Sequence, residues 1–400
     1  MEFIKDAAVL ALLVILFRKK VQIGHVFMVS ALLFGLLHHL GPLQLGRLVL
    51  SSLTDPSSLN LFAALYLIIV LEAVMRRSGL IDRLVSGMKN LSGDPRFPMA
   101  ALPAIIGLLP SPGGARLSAP LVEEAARELD LPGEQNAAIN YYYRHIWEYF
   151  LPMYPAVLLA VEILNVSLGK YILIMSPFTI VTVLAGLVLF KNVPAREKKE
   201  APPRSSTQNW KQVLEGLAPV AAVVILVLLV NINVLIALLL VVTFIFVFYK
   251  IEWPSVPPIL KGAFQIRLLY MVFGAIYLQD VLVASGSIDR LAAFSRAAGL
   301  SPLFIAVIFP LLVGLLTGVT IAGVSIALPI IVTLAGPANL LALGSAALAS
   351  NMVGVMLSPM HLCLVMSVEH FSADFGRSYF KFLLPEVLVI VFALIYAQVL

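Results

Sequence analysis

Two segments that contain helix-breaking glycine interrupt apolar stretches and carry residue types that could bind a small solute. The first reads Leu109-Pro110-Ser111-Pro112-Gly113-Gly114-Ala115. Prolines and glycines break a helix there, which leaves unpaired carbonyl oxygens on one side and amide groups at a new helix N-terminus on the other. Carbonyl oxygens suit a cation, and a helix N-terminus suits an anion. The second segment, Thr317-Gly318-Val319-Thr320, predicts a polar tip at the equivalent place in the second half.

A stretch with polar residues followed by prolines comes after each of these tips. Arg144, His145 and Glu148 lie in the first stretch, and Ser350 and Asn351 lie in the second. Prolines inside apolar segments predict broken helices, and ionisable groups inside a membrane are costly enough to indicate function. The alternative is an interfacial belt, in which tyrosines and tryptophan lie at the membrane surface beside a snorkelling arginine. Both interpretations are open at this point.

We predict that these segments supply the substrate site. Arg144 and His145 are expected to contact an anion or to carry a coupling proton. The remaining predicted site residues are Ser111, Gly113, Gly114, Thr317, Thr320, Ser325, Ser350 and Asn351.

Composition identifies the class of protein. Apolar residues make up 60% of the chain and charged residues only 12%, in long apolar blocks that indicate an all-α polytopic membrane protein. The net charge of +5 comes from basic residues at the ends of apolar segments, which favours cytoplasmic loops over nucleic-acid binding. The single cysteine, Cys363, excludes a disulfide framework and a cluster of several thiolates, and we interpret it as a small buried apolar side chain.

The elements that position the predicted site occur twice in the chain. The two copies match without a gap when each residue is aligned with the residue 207 positions later. Most matched residues other than leucine are Gly, Pro, Ser or charged, so a shared apolar composition does not explain them. We infer a first repeat at 1–193, a linker at 194–207 and a second repeat at 208–400. The matched segments include Ser78-Gly79 with Ser285-Gly286, Ile81-Asp82-Arg83-Leu84 with Ile288-Asp289-Arg290-Leu291, Gly107-Leu108-Leu109 with Gly314-Leu315-Leu316, Pro152-Met153 with Pro359-Met360, and Val161-Glu162 with Val368-Glu369.

Each repeat is predicted to cross the membrane five times, and each contains one re-entrant hairpin, at 97–129 and at 304–336. A short amphipathic helix is expected before each hairpin. The predicted crossings lie at about 3–17, 21–40, 61–76, 136–164 and 171–190, and at about 212–230, 232–249, 264–284, 343–368 and 379–398.

Five crossings per repeat require the second repeat to be inverted relative to the first. Basic residues cluster at 18–20, 76–96 and 191–211, against only Lys5, Arg47 and Lys170 in the other loops of the first half. Positive charge favours the cytoplasmic side, so the linker is expected inside and both termini outside. Duplicated halves with broken helices are typical of secondary transporters, whose site lies where the repeats meet.

At the two tips and the broken helices the chain resembles the ion transporter superfamily, which includes gluconate permeases, TRAP transporter large subunits, arsenite permeases and divalent-anion/sodium symporters. Pro110-Ser111-Pro112-Gly113-Gly114-Ala115 together with 357–364 more closely resembles an uncharacterised prokaryotic membrane family, domain of unknown function 401. The resemblance implies an elevator-type transporter of the prokaryotic inner membrane that forms a homodimer. The Ser-Asn-Thr tips of the sodium/dicarboxylate symporters are absent from this sequence.

The predicted function is therefore ion- or proton-coupled transport of a small organic anion, a carboxylate or a sugar acid. Na⁺ or H⁺ is the expected coupling ion, and no other cofactor and no nucleic-acid partner is expected. Signatures for metal hydrolysis, acyl-enzyme chemistry and ATP use are absent from the sequence, which favours a protein that is not an enzyme. Two alternatives remain: an intramembrane enzyme acting on a lipid or peptide through Arg144, His145, Glu148 and His361, and an ion channel.

Overall fold

Helix-breaking residues divide the chain into helices throughout. A computed structural model describes residues 2–19, 21–92, 94–108, 114–195 and 206–400. Within these ranges the regular elements are all helical, which confirms the all-α prediction. The predicted site residues Ser111 and Gly113, and most of the linker, lie outside the described residues.

The described residues of the first half form ten α-helices. Several begin at a proline in the first turn, where its missing N–H costs no hydrogen bond. The helices are α1 (Glu2–Arg18), α2 (Ile23–Leu37), α3 (Pro42–Thr54), α4 (Pro56–Arg77), α5 (Leu80–Lys89), α6 (Arg96–Gly107), α7 (Gly114–Ala126), α8 (Gly133–Arg144), α9 (Pro155–Leu164) and α10 (Leu168–Gly186).

The second half follows the same order. Its longest helix is interrupted at Gly336, whose φ of 60° and ψ of 174° are not helical and favour glycine. The helices are α11 (Ser206–Leu228), α12 (Val234–Phe248), α13 (Val256–Ala263), α14 (Ile266–Ala284), α15 (Ser287–Ala297), α16 (Pro302–Thr317), α17 (Thr320–Met356), α18 (Leu362–His370) and α19 (Phe375–Tyr396).

Positions that lie 207 residues apart have similar local backbone geometry. Gly79 and Gly286, which precede α5 and α15, have φ values of 73° and 68° in the left-handed region. The side chain of Ser167 accepts a hydrogen bond from the first turn of α10, and that of Asp374 does the same for α19. The same turn and cap chemistry therefore begins equivalent helices in both halves.

Six described helical segments are long and apolar enough to cross a membrane. The helix α12 is shorter than these six segments but also apolar. Its side chains Phe244, Val247 and Phe248 are 60%, 72% and 65% exposed, as expected of a surface that faces lipid. The six segments are Pro56–Arg77, Leu168–Phe190, Thr207–Leu228, Trp253–Ala284, Thr320–Met356 and Phe375–Tyr396.

Two groups of helices pack mainly among themselves. The flanking bundle consists of α1–α4 and α11–α14, and the inner bundle consists of α6–α10 and α16–α19. The short amphipathic helices expected before the two hairpins are α5 and α15, and they pack on α11 and α17 respectively. Two short helices, α3 and α13, were not predicted, because 13 and 8 residues are too short to give the signal of a membrane crossing.

The two predicted crossings at 136–164 and 343–368 are broken, as their prolines predict. Non-helical segments at 145–154 and 357–361 separate α8 from α9 and α17 from α18. Both breaks lie in the inner bundle, where α18 packs against α7 and α8. The polar residues at these breaks form the candidate site.

Candidate functional site

Arg144, the last residue of α8, has a buried side chain that is 4% exposed. Its guanidinium lies against Gly114, the first residue of α7, so a Cβ at Gly114 would lie 2.6 Å from Nε and 2.8 Å from Cζ. Nη1 lies 3.6 Å from Sγ of Cys363 on α18. The glycine of the first hairpin thus leaves the space that the guanidinium fills.

Asn351 occupies the equivalent position on α17 and is 1% exposed. A Cβ at Gly323 would lie 2.8 Å from its Nδ2. Nδ2 donates a 2.9 Å hydrogen bond to the carbonyl oxygen of Thr320 at the second tip. Within the described residues Oδ1 has no hydrogen-bond partner, and a buried acceptor of this kind is rare enough to indicate a ligand or water contact.

The first helix of each hairpin is α6 in the first half and α16 in the second. Each of these helices contacts the broken helix that follows its hairpin through a glycine. A Cβ at Gly107 would lie 2.9 Å from the carbonyl carbon of Arg144, and one at Gly314 would lie 2.9 Å from the amide nitrogen of Val355 and 3.0 Å from Oδ1 of Asn351. Only glycine permits this approach of backbone to backbone. The two hairpins are therefore packed on the two polar breaks by equivalent contacts.

His145 and His361 face each other across the two halves, with their Nε2 atoms 3.1 Å apart. Nδ1 of His145 lies 2.6 Å from the carbonyl oxygen of Tyr141, and Nδ1 of His361 lies 2.8 Å from that of Gly318. A carbonyl oxygen only accepts, so each Nδ1 carries the hydrogen. In the neutral rings both Nε2 atoms then present lone pairs to each other.

Glu148 extends this network to the second tip. Thr320 donates a 3.2 Å hydrogen bond from Oγ1 to Oε2 of Glu148, and Oε1 lies 3.8 Å from Nε2 of His145. A cavity of about 10 Å³ beside Glu148 and Thr320 has room for about one water molecule. An organic anion would need a wider opening at this point.

Within the described part of the chain, one group of His, Cys and carboxylate residues could hold a metal ion. It consists of His145, His361 and Cys363, whose ligand atoms lie within 4.8 Å of one another. Imidazole nitrogen and sulfur suit zinc and copper and do not suit magnesium or calcium.

The aromatic residues before Arg144 are packed inside the protein. Tyr141 and Tyr142 are both 0% exposed. Their hydroxyls donate 2.9 Å hydrogen bonds to the carbonyl oxygens of Met356 and Thr182. These two tyrosines are therefore packed between helices and do not lie on the outer surface of the protein.

The structure brings Gly114, Arg144, His145, Thr320 and Asn351 of the predicted site residues into one network.

Three other predicted residues lie nearby without a hydrogen bond into that network. Thr317 and Ser325 donate to carbonyl oxygens of their own helices, at 2.7 and 3.2 Å. Ser350 is fully buried, and its Oγ has no hydrogen-bond partner within the described residues.

The predicted site residues do not include Glu148, His361 and Cys363. The sequence indicates a functional role for Glu148 as an ionisable group at the first broken helix, and it implicates His361 only in the enzyme alternative. Cys363 is buried, as expected, yet it contacts the Arg144 guanidinium and so is more than an apolar side chain. No spacing in the sequence links it to residues more than 200 positions away.

Comparison with known proteins agrees with this fold. The crystal structure of the Alcanivorax borkumensis YdaH transporter, described as having an unusual topology, is similar at 15% sequence identity with a TM-score of 0.63. The similarity covers 97% of this chain and 98% of that chain. No protein among the curated sequences matches this one. The family described as "Protein of unknown function (DUF401)" matches residues 7–400, so the chain belongs to that family.

Proposed function

We propose that this protein is a secondary active transporter of a small organic anion, such as a carboxylate or sugar acid. The observation that carries the proposal is the buried guanidinium of Arg144, held between the first hairpin and two broken helices. A buried arginine at such a place suits a carboxylate, which it can bind through two parallel hydrogen bonds. The likeness of the fold to a transporter supports the same function.

We propose that the two halves are inverted, with both termini outside and the linker in the cytoplasm of a prokaryotic inner membrane. The 207-residue repeat and the basic residues around 18–20, 76–96 and 191–211 support this arrangement. Arg144 and Asn351 then come from opposite repeats, so anion contacts come from the first half and amide or hydroxyl contacts from the second.

We propose elevator-type alternating access, in which the inner bundle moves against the flanking bundle of one subunit of a homodimer. A cavity of about 610 Å³ lies between α4, α11 and α12 of the flanking bundle and α9 and α10 of the inner bundle, which leaves space at the boundary. The cavity at Glu148 and Thr320 has a volume of about 10 Å³, too small for an organic anion, which supports a conformation in which the site is closed. Movement between the bundles would open it.

Uptake into proteoliposomes tests the proposal. Purified protein is reconstituted and offered labelled sugar acids and dicarboxylates under an imposed Na⁺ or proton gradient. We expect accumulation of one class of anion driven by one of the two gradients. Arg144→Ala should abolish accumulation, whereas Arg116→Ala, an exposed arginine on the same hairpin, should retain it.

Other outcomes would contradict the proposal. Single-channel currents without accumulation would identify a channel, and turnover of a lipid or peptide would identify an enzyme. Full accumulation of the anion by Arg144→Ala at matched protein levels would mean that Arg144 does not bind the substrate.

A further inference from the structure

We propose that His145, His361 and Cys363 form a zinc site at the contact between the two broken helices, with Glu148 as the fourth ligand. A bound metal ion is not required by anion transport, so this inference goes beyond the proposed function. The site joins the segment after α8 to the segment after α17, and the two histidines are 216 residues apart in the chain.

The arrangement of the two imidazoles carries the inference. Each Nδ1 is held as a donor by a backbone carbonyl, that of Tyr141 for His145 and that of Gly318 for His361. The two Nε2 lone pairs of the neutral rings therefore point toward each other across 3.1 Å, which is unfavourable unless a proton or a metal ion lies between them. A histidine that donates its other ring N–H to a backbone carbonyl is also the usual arrangement around a bound metal.

The two separations that involve Nε2 of His145 are close to those of a tetrahedral zinc site. Bond lengths of about 2.0–2.3 Å to nitrogen, oxygen and sulfur place neighbouring ligand atoms about 3.3–3.8 Å apart. The separation between the Nε2 atoms of His145 and His361 is 3.1 Å, and that between Oε1 of Glu148 and Nε2 of His145 is 3.8 Å. Sγ of Cys363 lies within 4.8 Å of both imidazoles, so a side-chain movement of about 1 Å would complete the coordination.

The charges favour a divalent ion over a monovalent one. A thiolate, which is the metal-binding form of cysteine, and the Glu148 carboxylate together neutralise Zn²⁺. A neutral metal site does not repel the Arg144 guanidinium, whose Nη1 lies 3.6 Å from Sγ of Cys363. The carboxylate ligand also favours Zn²⁺ over Cu⁺, which binds softer ligands.

Metal content measures this site without any transport assay. Tag-free protein is purified in detergent, equilibrated with Zn²⁺, freed of loose metal by gel filtration and analysed by mass spectrometry. We expect about one zinc per chain in the wild type and in the control His370→Gln, because His370 lies at the far end of α18 beside Glu123. Cys363→Ser and His361→Gln should each lower bound zinc at least tenfold, and Glu148→Gln should lower it less.

Cobalt provides a second readout that reports the ligand itself. Co²⁺ bound to a thiolate gives a sulfur-to-metal charge-transfer band, which we expect in the wild type and in His370→Gln but not in Cys363→Ser. Variants are compared only as monodisperse proteins with wild-type helical content, and Cys363→Ala is the replacement if the serine variant misfolds. Unchanged zinc content in Cys363→Ser and His361→Gln, absence of zinc from the wild type, or binding of Cu⁺ but not Zn²⁺ would overturn the proposal.

Discussion

Gly114 lies directly against the guanidinium of Arg144, so a Cβ at position 114 would come within 2.6 Å of Nε. The absence of a side chain at the start of α7 is what permits the arginine to lie buried at the end of α8. This relationship connects the first hairpin to the first broken helix.

Gly114→Ala should therefore displace Arg144 without removing its charge. We expect loss of anion accumulation comparable to that of Arg144→Ala, with a stability cost of about 1–3 kcal/mol from overpacking. The control is Gly262→Ala, where a Cβ would meet nothing within 4 Å. Proteoliposome uptake and thermal unfolding measure the two effects, and normal uptake in Gly114→Ala would contradict the assigned position of Arg144.

Arg144 variants separate charge from hydrogen-bond geometry. Arg144→Ala should weaken anion binding by about 2–5 kcal/mol, because a buried charge-assisted hydrogen bond is lost. Arg144→Lys should recover only part of that loss, because lysine lacks the planar fork that binds a carboxylate at two points. Binding constants for the transported anion test this order, and full recovery in Arg144→Lys would indicate a simple electrostatic role.

Asn351→Ala removes the hydrogen bond to Thr320 and the buried Oδ1, which has no hydrogen-bond partner in the part of the chain that the structure describes. We expect a change in ion dependence or anion selectivity larger than any change in membrane level, because the amide faces the site from the second half. The control is Ser345→Ala on the same helix, where the lost hydrogen bond goes to the helix's own Ala342. Equal effects of the two substitutions would mean that Asn351 has only a structural role.

Equivalent positions of the two repeats test the inversion. Lys170 and Arg377 are exposed, lie 207 residues apart and occupy the third position of α10 and α19. An impermeant thiol reagent added outside intact cells should label Lys170→Cys and spare Arg377→Cys until the membrane is opened. Labelling of both from outside would exclude inverted repeats, and the reverse pattern would reverse the orientation only.

Gly79, which precedes α5, has a left-handed backbone conformation. We predict that this conformation alone makes glycine necessary at position 79. At Gly79 the φ value is 73° and a Cβ would meet nothing within 4 Å, so Gly79→Ala should cost about 1–2 kcal/mol through backbone strain. Gly46→Ala in the exposed interior of α3 should instead stabilise by about 0.5–1 kcal/mol. Circular dichroism on heating compares the two variants, and equal midpoints would contradict the argument.

Much of the helix order could be predicted from the sequence. Long apolar runs and the placement of proline and glycine define local structure, so α4, α14 and the breaks after Arg144 and Met356 are close to their predicted positions. The repeat added a second, independent copy of the same signals. The short helices α3 and α13 were missed because their apolar content is too low and their length too small to resemble a crossing.

The sequence determined that polar groups lie at two hairpin tips and two broken helices, because helix breakers and ionisable residues are rare in apolar segments. Only the tertiary structure decided which of them meet. Arg144 contacts Cys363, and His145 faces His361, across more than 200 residues, and both contacts depend on how α8 packs against α18. The tautomers of the two histidines likewise depend on backbone carbonyls of Tyr141 and Gly318, and such packing leaves no periodic signal in the chain.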